Sequence, residues 1–291
     1  MRRMRRGGTT GWPGWLARPS ARAVSVAVVV ILAVVTMTPA AGGAADLAKR
    51  LAAATGLIPT ASQSGKAFSG TPAIGALFTT SGGVLGSHFC TASVVDSPAR
   101  DLVITAAHCV TGRGSMAFVP GYDNGQSPYG VWTVTQVIAD HAWTSSSDPD
   151  DDVAFLVVSE AGQARAPGQV RAPGGGTRIE DLTGAELLGV GRPRTGLVRV
   201  IGYPDSQGQP IACQNRTRAW LAHQLEFDCD GYTGGTSGGP FLAGVDEATG
   251  QGTVIGVIGG YEQGGFAAAI SYSAAFGPSV RALYATAVAR G

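Results

Sequence analysis

The chain lacks several features that would identify common classes of protein. The apolar stretch at residues 23–37 has only fifteen residues, and a helix of that length spans about 22 Å at ~1.5 Å per residue, short of a ~30 Å hydrocarbon core. No pair of cysteines has the C-x-x-C spacing of zinc sites. Outside the six arginines of residues 1–22, 15 basic residues face 20 acidic ones, a net charge of −5. We therefore expect no stable membrane association, no metal and no nucleic-acid partner.

The first 45 residues have the plan of a secretory signal peptide. Six arginines and no acidic residue precede the apolar stretch, and small residues follow it at 40–45. We expect cleavage near Ala45 and a secreted, extracellular protein, with an uncleaved anchor as the alternative. The arginine pairs at residues 2–3 and 5–6 are compatible with a twin-arginine signal, but the residues after them add no support for one.

Residues 46–69 differ in amino-acid composition from the rest of the chain. They are rich in Ala, Ser, Thr and Gly and contain Lys49, Arg50 and Lys66, which we interpret as candidate processing points. We interpret this segment as a propeptide or flexible lead-in. One domain, over residues 70–291, then remains.

The four cysteines fall into two groups, Cys90 with Cys109 and Cys213 with Cys229. In an exported chain an even number of cysteines indicates disulfides, here Cys90–Cys109 and Cys213–Cys229. Each would close a loop of about twenty residues and contribute roughly 3 kcal/mol in the chain-entropy treatment. Free buried thiols are the alternative.

Short apolar runs separated by Gly, Pro, Asn and Asp dominate the sequence after residue 71. The runs are typical of strands, and no helical pattern lies between them, so we predict an all-β barrel or sandwich rather than a parallel α/β fold. A final amphipathic helix is indicated by Val280, Leu283, Tyr284, Ala287 and Val288, which recur with helical spacing. The predicted strands cover residues 73–78, 89–95, 102–106, 132–138, 153–158, 197–201, 225–227, 253–258 and 267–272.

The strongest chemical signal is Ser237, embedded in the glycine-rich heptapeptide GGTSGGP at residues 234–240. Glycines let the backbone bend until amide groups face a bound carbonyl. A serine hydroxyl is a poor nucleophile unless a base activates it, and the oxyanion that it creates needs N–H donors. The sequence should therefore also contain a histidine and an acid.

Of four histidines, His108 is the best general base. It ends a buried strand and precedes Cys109, so a strand and a disulfide would hold its imidazole in place. His88, His141 and His223 lie in polar or mixed stretches without such support, and we interpret them as surface or capping histidines.

The acid is predicted to be Asp152, at the edge of the strand that begins at Val153. A buried carboxylate bonded to the imidazole selects its tautomer and stabilises the imidazolium. Asp151 is the alternative. For Asp148 and Asp150 a solvated acidic turn or a weak Ca²⁺ site is the simpler explanation, although calcium loops usually space their ligands at alternate residues.

Three segments, TAAHC at 105–109, DVAFL at 152–156 and GTSGGP at 235–240, resemble the signature segments of trypsin-like serine peptidases and occur in that family's order. The likeness covers about 220 residues, and VIGYP at 200–204 resembles the bacterial glutamyl-endopeptidase-like branch. The resemblance implies a chymotrypsin-like fold of two six-stranded antiparallel β-barrels with the site between them. It also implies a serine endopeptidase that needs no cofactor, with the oxyanion hole at the backbone N–H groups of Gly235 and Ser237.

Two departures from the vertebrate pattern concern activation. Thr236 stands where digestive members carry an aspartate that pairs with a newly cut N-terminus, and the Ile-Val-Gly-Gly start is missing. Threonine forms no ion pair. We therefore expect the site to form without insertion of a new terminus.

Family resemblance places the substrate pocket at Gly231, Tyr232, Ile258, Gly259 and Gly260. None of these residues carries a charge, and Ile258 replaces the histidine of the glutamyl branch. A neutral or apolar residue before the cleaved bond is the leading hypothesis. Nearby Asp228 and Asp230 leave a basic preference open.

Rival functions fit the sequence less well. The sequence around Ser237 also matches the G-x-S-x-G elbow of α/β-hydrolases, but that fold places its histidine after the serine, and none follows Ser237. A subtilisin order would need an acid before His108. Asp96 and Asp101 are available, but the helical pattern that flanks the subtilisin residues is absent from this sequence. A catalytically inactive binding module with the same two-barrel fold is the third alternative. Protein or peptide substrates are the expected partners, and a monomer is the default.

Overall fold

The computed structural model describes residues 63–161 and 176–291. The predicted signal peptide, residues 1–45, and residues 46–62 of the predicted lead-in lie outside these ranges. In the described residues the strands are β1 (Lys66–Ala67), β2 (Ile74–Ser81), β3 (Val84–Val94), β4 (Leu102–Thr105), β5 (Met116–Pro120), β6 (Trp132–Ala139), β7 (Ala154–Glu160), β8 (Leu187–Leu188), β9 (Gly196–Gly202), β10 (Ile211–Trp220), β11 (Gln224–Asp228), β12 (Pro240–Ala243), β13 (Thr253–Val257) and β14 (Ile270–Ala274).

Short helices connect or follow these strands. The α-helices of the described residues are α1 (Ala107–Val110), α2 (His141–Ser146), α3 (Ile179–Thr183) and α4 (Pro278–Val288), and 3₁₀ turns lie at Pro149–Asp151 and Tyr261–Gly264. None of the helices in the described part of the chain is both long enough and apolar enough to cross a bilayer.

The strands form two halves. The first barrel is closed and antiparallel, in the order β2, β3, β4, β7, β6, β5. The second barrel has the order β14, β11, β10, β9, β12, β13. Its end strands, β13 and β14, are linked by the Val257 N–H to Ser273 Oγ bond at 2.9 Å and the Gly259 N–H to Tyr272 O bond at 3.0 Å. The prediction of two six-stranded barrels is confirmed, with the two-residue strands β1 and β8 added to the second sheet.

Each barrel has an aromatic interior. Trp132 and Phe118 are fully buried in the first barrel, and the Trp132 indole N–H donates to Tyr129 O at 2.8 Å. Phe227 and Phe241 meet edge to face at 5.6 Å in the second. Burying one such side chain contributes about 1.5–3 kcal/mol, so these rings help to fix the two halves that hold the site.

The helix predicted at the C-terminus is present as α4. Gly277 precedes it, Pro278 is its first residue, and Val280, Leu283 and Ala287 are buried along one face. Proline suits a first turn because its missing N–H would have no partner there. The helix packs on the first barrel, where the Tyr284 ring meets the Phe155 ring at 5.7 Å.

Three longer strands escaped the sequence prediction: β5, β10 and β12. The cause is clearest for β10, where inward residues such as Cys213 and Thr217 alternate with outward polar ones such as Gln214 and Arg216. A search for continuous apolar runs misses such a strand, because only one face of it is buried.

Two disulfides are present, Cys90–Cys109 and Cys213–Cys229. The first ties β3 to α1. The second ties β10 to the residue that follows β11. Each therefore braces a segment near one of the chemical motifs.

Part of the predicted lead-in is paired with the second barrel. The Asp230 N–H donates to Gln63 O at 2.7 Å, and the Gly65 N–H donates to Asp230 O at 2.8 Å. Lys66 then pairs with Ala212 of β10. Within the described residues, strand pairing of the second barrel thus includes Lys66 and Ala67 of the predicted lead-in.

Candidate active site

The transition from β4 to α1 fixes the position of His108. Ala106 keeps the extended backbone of the strand, and the chain turns into α1 at the next residue. The disulfide of Cys109 follows at once. Backbone and cross-link thus hold the imidazole, whose side chain is 13% exposed.

Asp152 accepts three hydrogen bonds at a buried position. It is 1% exposed and lies between the turn Pro149–Asp151 and β7. Its Oδ1 accepts from the His108 backbone N–H at 2.8 Å, and its Oδ2 pairs with His108 Nδ1 at 2.7 Å. Oδ2 also accepts from the Gly260 N–H at 2.9 Å. Because a carboxylate accepts from Nδ1–H, the unprotonated lone pair of a neutral imidazole is left on Nε2.

Asp151, the alternative acid, is directed elsewhere. Its side chain forms a hydrogen bond to Ser279 in the first turn of α4. Burial raises the pKa of Asp151, and the bond to Ser279 lowers it. The structure thus pairs His108 with Asp152, whereas the side chain of Asp151 bonds to the first turn of α4.

The loop that carries Ser237 packs against β3 and β4, and β4 leads to His108. Ser237 O accepts from the Thr91 N–H of β3 at 2.7 Å. Gly238 follows with φ of +79°, and a Cβ there would lie 2.1 Å from Thr105 Oγ1 at the end of β4. Only glycine permits this approach. Within the described residues, no hydrogen bond joins Ser237 Oγ to the His108 imidazole, a bond that commonly tightens only when substrate binds.

Three backbone N–H groups of residues 234–240 have no acceptor in the described part of the chain, and that of Gly234 is one of them. Those of Thr236, Gly238 and Gly239 donate to carbonyl groups, whereas those of Gly235 and Ser237 donate to no group in the described part of the chain. Gly235 has φ of +89°. Free N–H groups beside a nucleophile are the arrangement that an oxyanion hole requires.

Thr91, which sequence reasoning missed, joins both halves of the site. Its hydroxyl donates to Gly235 O at 3.0 Å and accepts from the Tyr203 N–H at 2.8 Å. It is fully buried. A threonine inside an apolar strand gives no sequence signal for such a role, because its partners are more than a hundred residues away.

Thr236 is held without an ion pair. Its hydroxyl donates to Thr233 O at 2.7 Å, and the residue is buried. A Cβ on Gly202 would lie 2.7 Å from Thr236 Cβ, so β9 packs tightly against it.

The five predicted pocket residues take different positions. Tyr232 is buried, and its hydroxyl donates to Val200 O at 2.7 Å inside the second barrel. Ile258 belongs to the same apolar core. Gly231, at φ of +99°, lies beside the lead-in. Gly259 and Gly260 lie against Asp152: a Cβ on Gly259 would be 2.9 Å from Asp152 Oδ2.

The two nearby aspartates are engaged elsewhere. Asp228 forms an ion pair with Arg218 of β10 at 2.8 Å. Asp230 is exposed, and its Oδ1 accepts from the Gly231 N–H at 2.8 Å.

The remaining histidines do not contact the pair formed by His108 and Asp152. His88 Nε2 donates to Pro204 O at 3.0 Å, while His141 and His223 are exposed. In the described residues, one group has a spacing that would suit a metal, Cys90, His108 and Cys109. Both of its sulfur atoms belong to a disulfide, and a disulfide supplies no thiolate ligand.

Comparison with known proteins gives the family and the fold. The family profile for trypsin matches residues 62–276. No curated protein sequence matches the chain.

Solved structures with the same fold include bacterial proteases. The protease Anisep from Arthrobacter nicotinovorans is 25% identical, with a TM-score of 0.61 over 77% of this chain and 99% of that one. The thermostable serine protease AL20 from an extremophilic microorganism is 24% identical, with a TM-score of 0.61 over 76% and 99%.

More distant structures share only the fold. A Glu endopeptidase is 16% identical, with a TM-score of 0.58 over 79% of this chain and 98% of that one. Human heparin binding protein is 12% identical, with a TM-score of 0.52 over 79% and 97%. With the trypsin profile covering most of the chain, this protein belongs to the trypsin family and is a trypsin-like serine endopeptidase.

Proposed function

We propose that the chain is a secreted endopeptidase that cleaves peptide bonds through an acyl-enzyme, with Ser237 as nucleophile, His108 as general base and Asp152 as the acid that orients it. One observation carries the proposal: the 2.7 Å bond between His108 Nδ1 and Asp152 Oδ2. It lies beside a serine loop that is tied to the same barrel through Thr91.

Acylation starts when Ser237 Oγ attacks the carbonyl carbon of the scissile bond while His108 Nε2 takes the hydroxyl proton. The C=O π electrons move to oxygen, and the N–H groups of Gly235 and Ser237 stabilise this oxyanion. Asp152 stabilises the imidazolium. As the C–N bond breaks, the imidazolium gives its proton to the leaving amine. Water then repeats these steps on the ester and releases the acid.

The three donors on Asp152 support its proposed role. Each N–H group restricts the rotation of the carboxylate. Because Gly260 belongs to the second barrel and His108 to the first, the acid joins the two halves that hold the substrate.

We further propose that the residue before the cleaved bond is neutral or apolar. Gly231, Ile258, Gly259 and Gly260 offer no charge, and the carboxylate of Asp228 is bound by Arg218. Cleavage of a mixed peptide library tests this; a dominant Glu, Lys or Arg preference would contradict it.

Export and activation are part of the proposal. Two disulfides suit an oxidising compartment. The bond between Thr236 and Thr233 holds the serine loop without a new N-terminus. The mass of the secreted protein should place its N-terminus after Ala45 and show both disulfides.

A fluorophosphonate probe, which phosphorylates activated serines, tests the mechanism. We expect labelling of the full secreted protein at Ser237, found by peptide mass spectrometry, and none in Ser237→Ala. Ser146→Ala is the matched control, because among the described residues its hydroxyl donates to Ala142 O of its own helix and to no other group. A folded wild-type protein that does not label would instead be a binding module.

A further inference from the structure

A fully buried glutamine lies between the two segments that meet at the triad acid. Gln224, the first residue of β11, has no exposed surface. Its Nε2 donates to Pro149 O at 3.0 Å and to Asp150 Oδ1 at 2.6 Å, both in the first barrel. Its Oε1 accepts from the Tyr261 N–H of the second barrel at 3.1 Å. The side-chain amide therefore bridges the barrels.

Both segments that Gln224 holds continue directly to Asp152. Pro149 and Asp150 belong to the turn that ends at Asp152. On the other side, Tyr261 follows Gly260, whose N–H donates to Asp152 Oδ2 at 2.9 Å. One side chain thus sets the separation of the carboxylate from one of its three donors.

The backbone of Gly260 packs directly against the side chain of Gln224. Gly260 has φ of +76°, and a Cβ there would lie 2.2 Å from Gln224 Oε1 and 2.9 Å from the Ala274 backbone nitrogen. No larger residue fits without displacing one of these groups. The close approach puts the Gly260 N–H within reach of Asp152.

An apolar side chain would fill the same volume without the desolvation cost of an amide. A buried amide is tolerated only when its donors and acceptor are paired, and that of Gln224 is paired on both ends. Those partners are loop segments of the active site rather than strands of the core. Positioning therefore explains the amide better than core packing does.

We propose that Gln224 is a positioning residue for the triad. It acts through Asp152, by holding the Pro149–Asp151 turn and the Gly260 amide at the separation at which the carboxylate faces His108. The inference rests on the proposed function, because it assigns Gln224 a part in the same reaction.

The test compares Gln224→Met, which keeps the volume and removes the amide, with wild type. A displaced orienting group lowers the rate of the chemical step more than it lowers binding, and misplacement by about 1 Å can cost 10²-fold. We expect kcat for a peptide ester or amide to fall about 10- to 100-fold with KM changed less than about 3-fold. The acidic limb of the kcat/KM profile should move to lower pH, because a looser carboxylate stabilises the imidazolium less.

Further variants separate positioning from stability. Asp150→Asn keeps an oxygen acceptor for Gln224 Nε2 and should retain most of the activity, whereas Asp150→Ala should lose more. Gln214→Ala is the matched control, an exposed glutamine of β10 that bonds to Arg199 at 3.2 Å. Melting temperature is measured for every variant. If Gln224→Met does not fold, the two Asp150 variants decide.

The outcomes distinguish the two proposals. Labelling of wild type at Ser237 together with unchanged kcat and pH profile in Gln224→Met would overturn the role of Gln224 alone. Equal activity of the two Asp150 variants would do the same if Gln224→Met does not fold. A wild-type protein that fails to label would overturn the proposed function and this inference with it.

Discussion

The side chain of Glu186 accepts a 2.5 Å hydrogen bond from the Gly252 N–H at a fully buried point between the barrels. The Glu186 backbone pairs with the end of β3: its N–H donates to Val94 O at 2.9 Å, and its O accepts from the Asp96 N–H at 3.0 Å. Gly252 directly precedes β13. A carboxyl group thus joins the end of the first barrel to the second.

Glu186 makes stability depend on pH. Burial raises its pKa from 4.5 to about 7, and the Gly252 bond lowers it by less. The folded state therefore binds more protons than the unfolded chain between these values, and the contribution of Glu186 to stability is full below pH 4.5 and lost as pH rises to about 7. The loss is on the order of 3 kcal/mol.

Glu186→Gln should remove this dependence, because the amide keeps an oxygen for Gly252 and carries no charge. Urea unfolding at pH 5 and pH 8 measures the free energy of unfolding of wild type and variant. We expect the variant to be more stable than wild type at pH 8 and close to it at pH 5. If the free energy of unfolding differs between wild type and variant by the same amount at pH 5 and at pH 8, the prediction is wrong.

Asp152→Asn should lower kcat by about 10⁴, the loss known for this substitution in the Ser-His-Asp triad, because an amide favours the wrong imidazole tautomer. Asp151→Asn is the matched control, since its side chain contacts Ser279 rather than His108. We expect it to keep kcat within a few-fold. Comparable losses in both variants would show that the adjacent aspartates act together.

Gly238→Ala should abolish probe labelling. Its φ is +79° and its Cβ would lie 2.1 Å from Thr105 Oγ1, so the Ser237 loop must move away from β4. Gly244→Ala separates strain from crowding, because its φ is +62° but no atom lies within 4 Å of its Cβ. Backbone strain alone costs roughly 1–2 kcal/mol, so we expect the control to lose stability but to label.

Removal of the paired lead-in should damage the second barrel. A chain that begins at Thr71 loses the bonds of Gln63 and Gly65 to Asp230 and the strand β1. We expect a lower melting temperature and weaker activity than in a chain that begins at Asp46. Activity that depends strictly on one cut terminus would show instead that a new N-terminus drives activation.

The sequence predicts the triad from local segments and the substrate pocket from family spacing alone. His108, Asp152 and Ser237 each lie in a short segment whose neighbours explain their position, such as the apolar strand before His108. By contrast, Tyr232 was assigned to the pocket on family spacing alone, and the structure buries it with its hydroxyl on Val200 O. Spacing does not reveal which way a side chain faces at the end of a strand.

The sequence by itself determined the all-β class, the C-terminal helix and the family, because strand runs, helical spacing and motifs are properties of adjacent residues. Tertiary structure decided which groups meet. The bonds of Thr91 to Gly235, of Gln224 to Pro149 and of Gly260 to Asp152 join residues 144, 75 and 108 positions apart. No local pattern encodes such pairs, since they exist only after two barrels have closed and packed together.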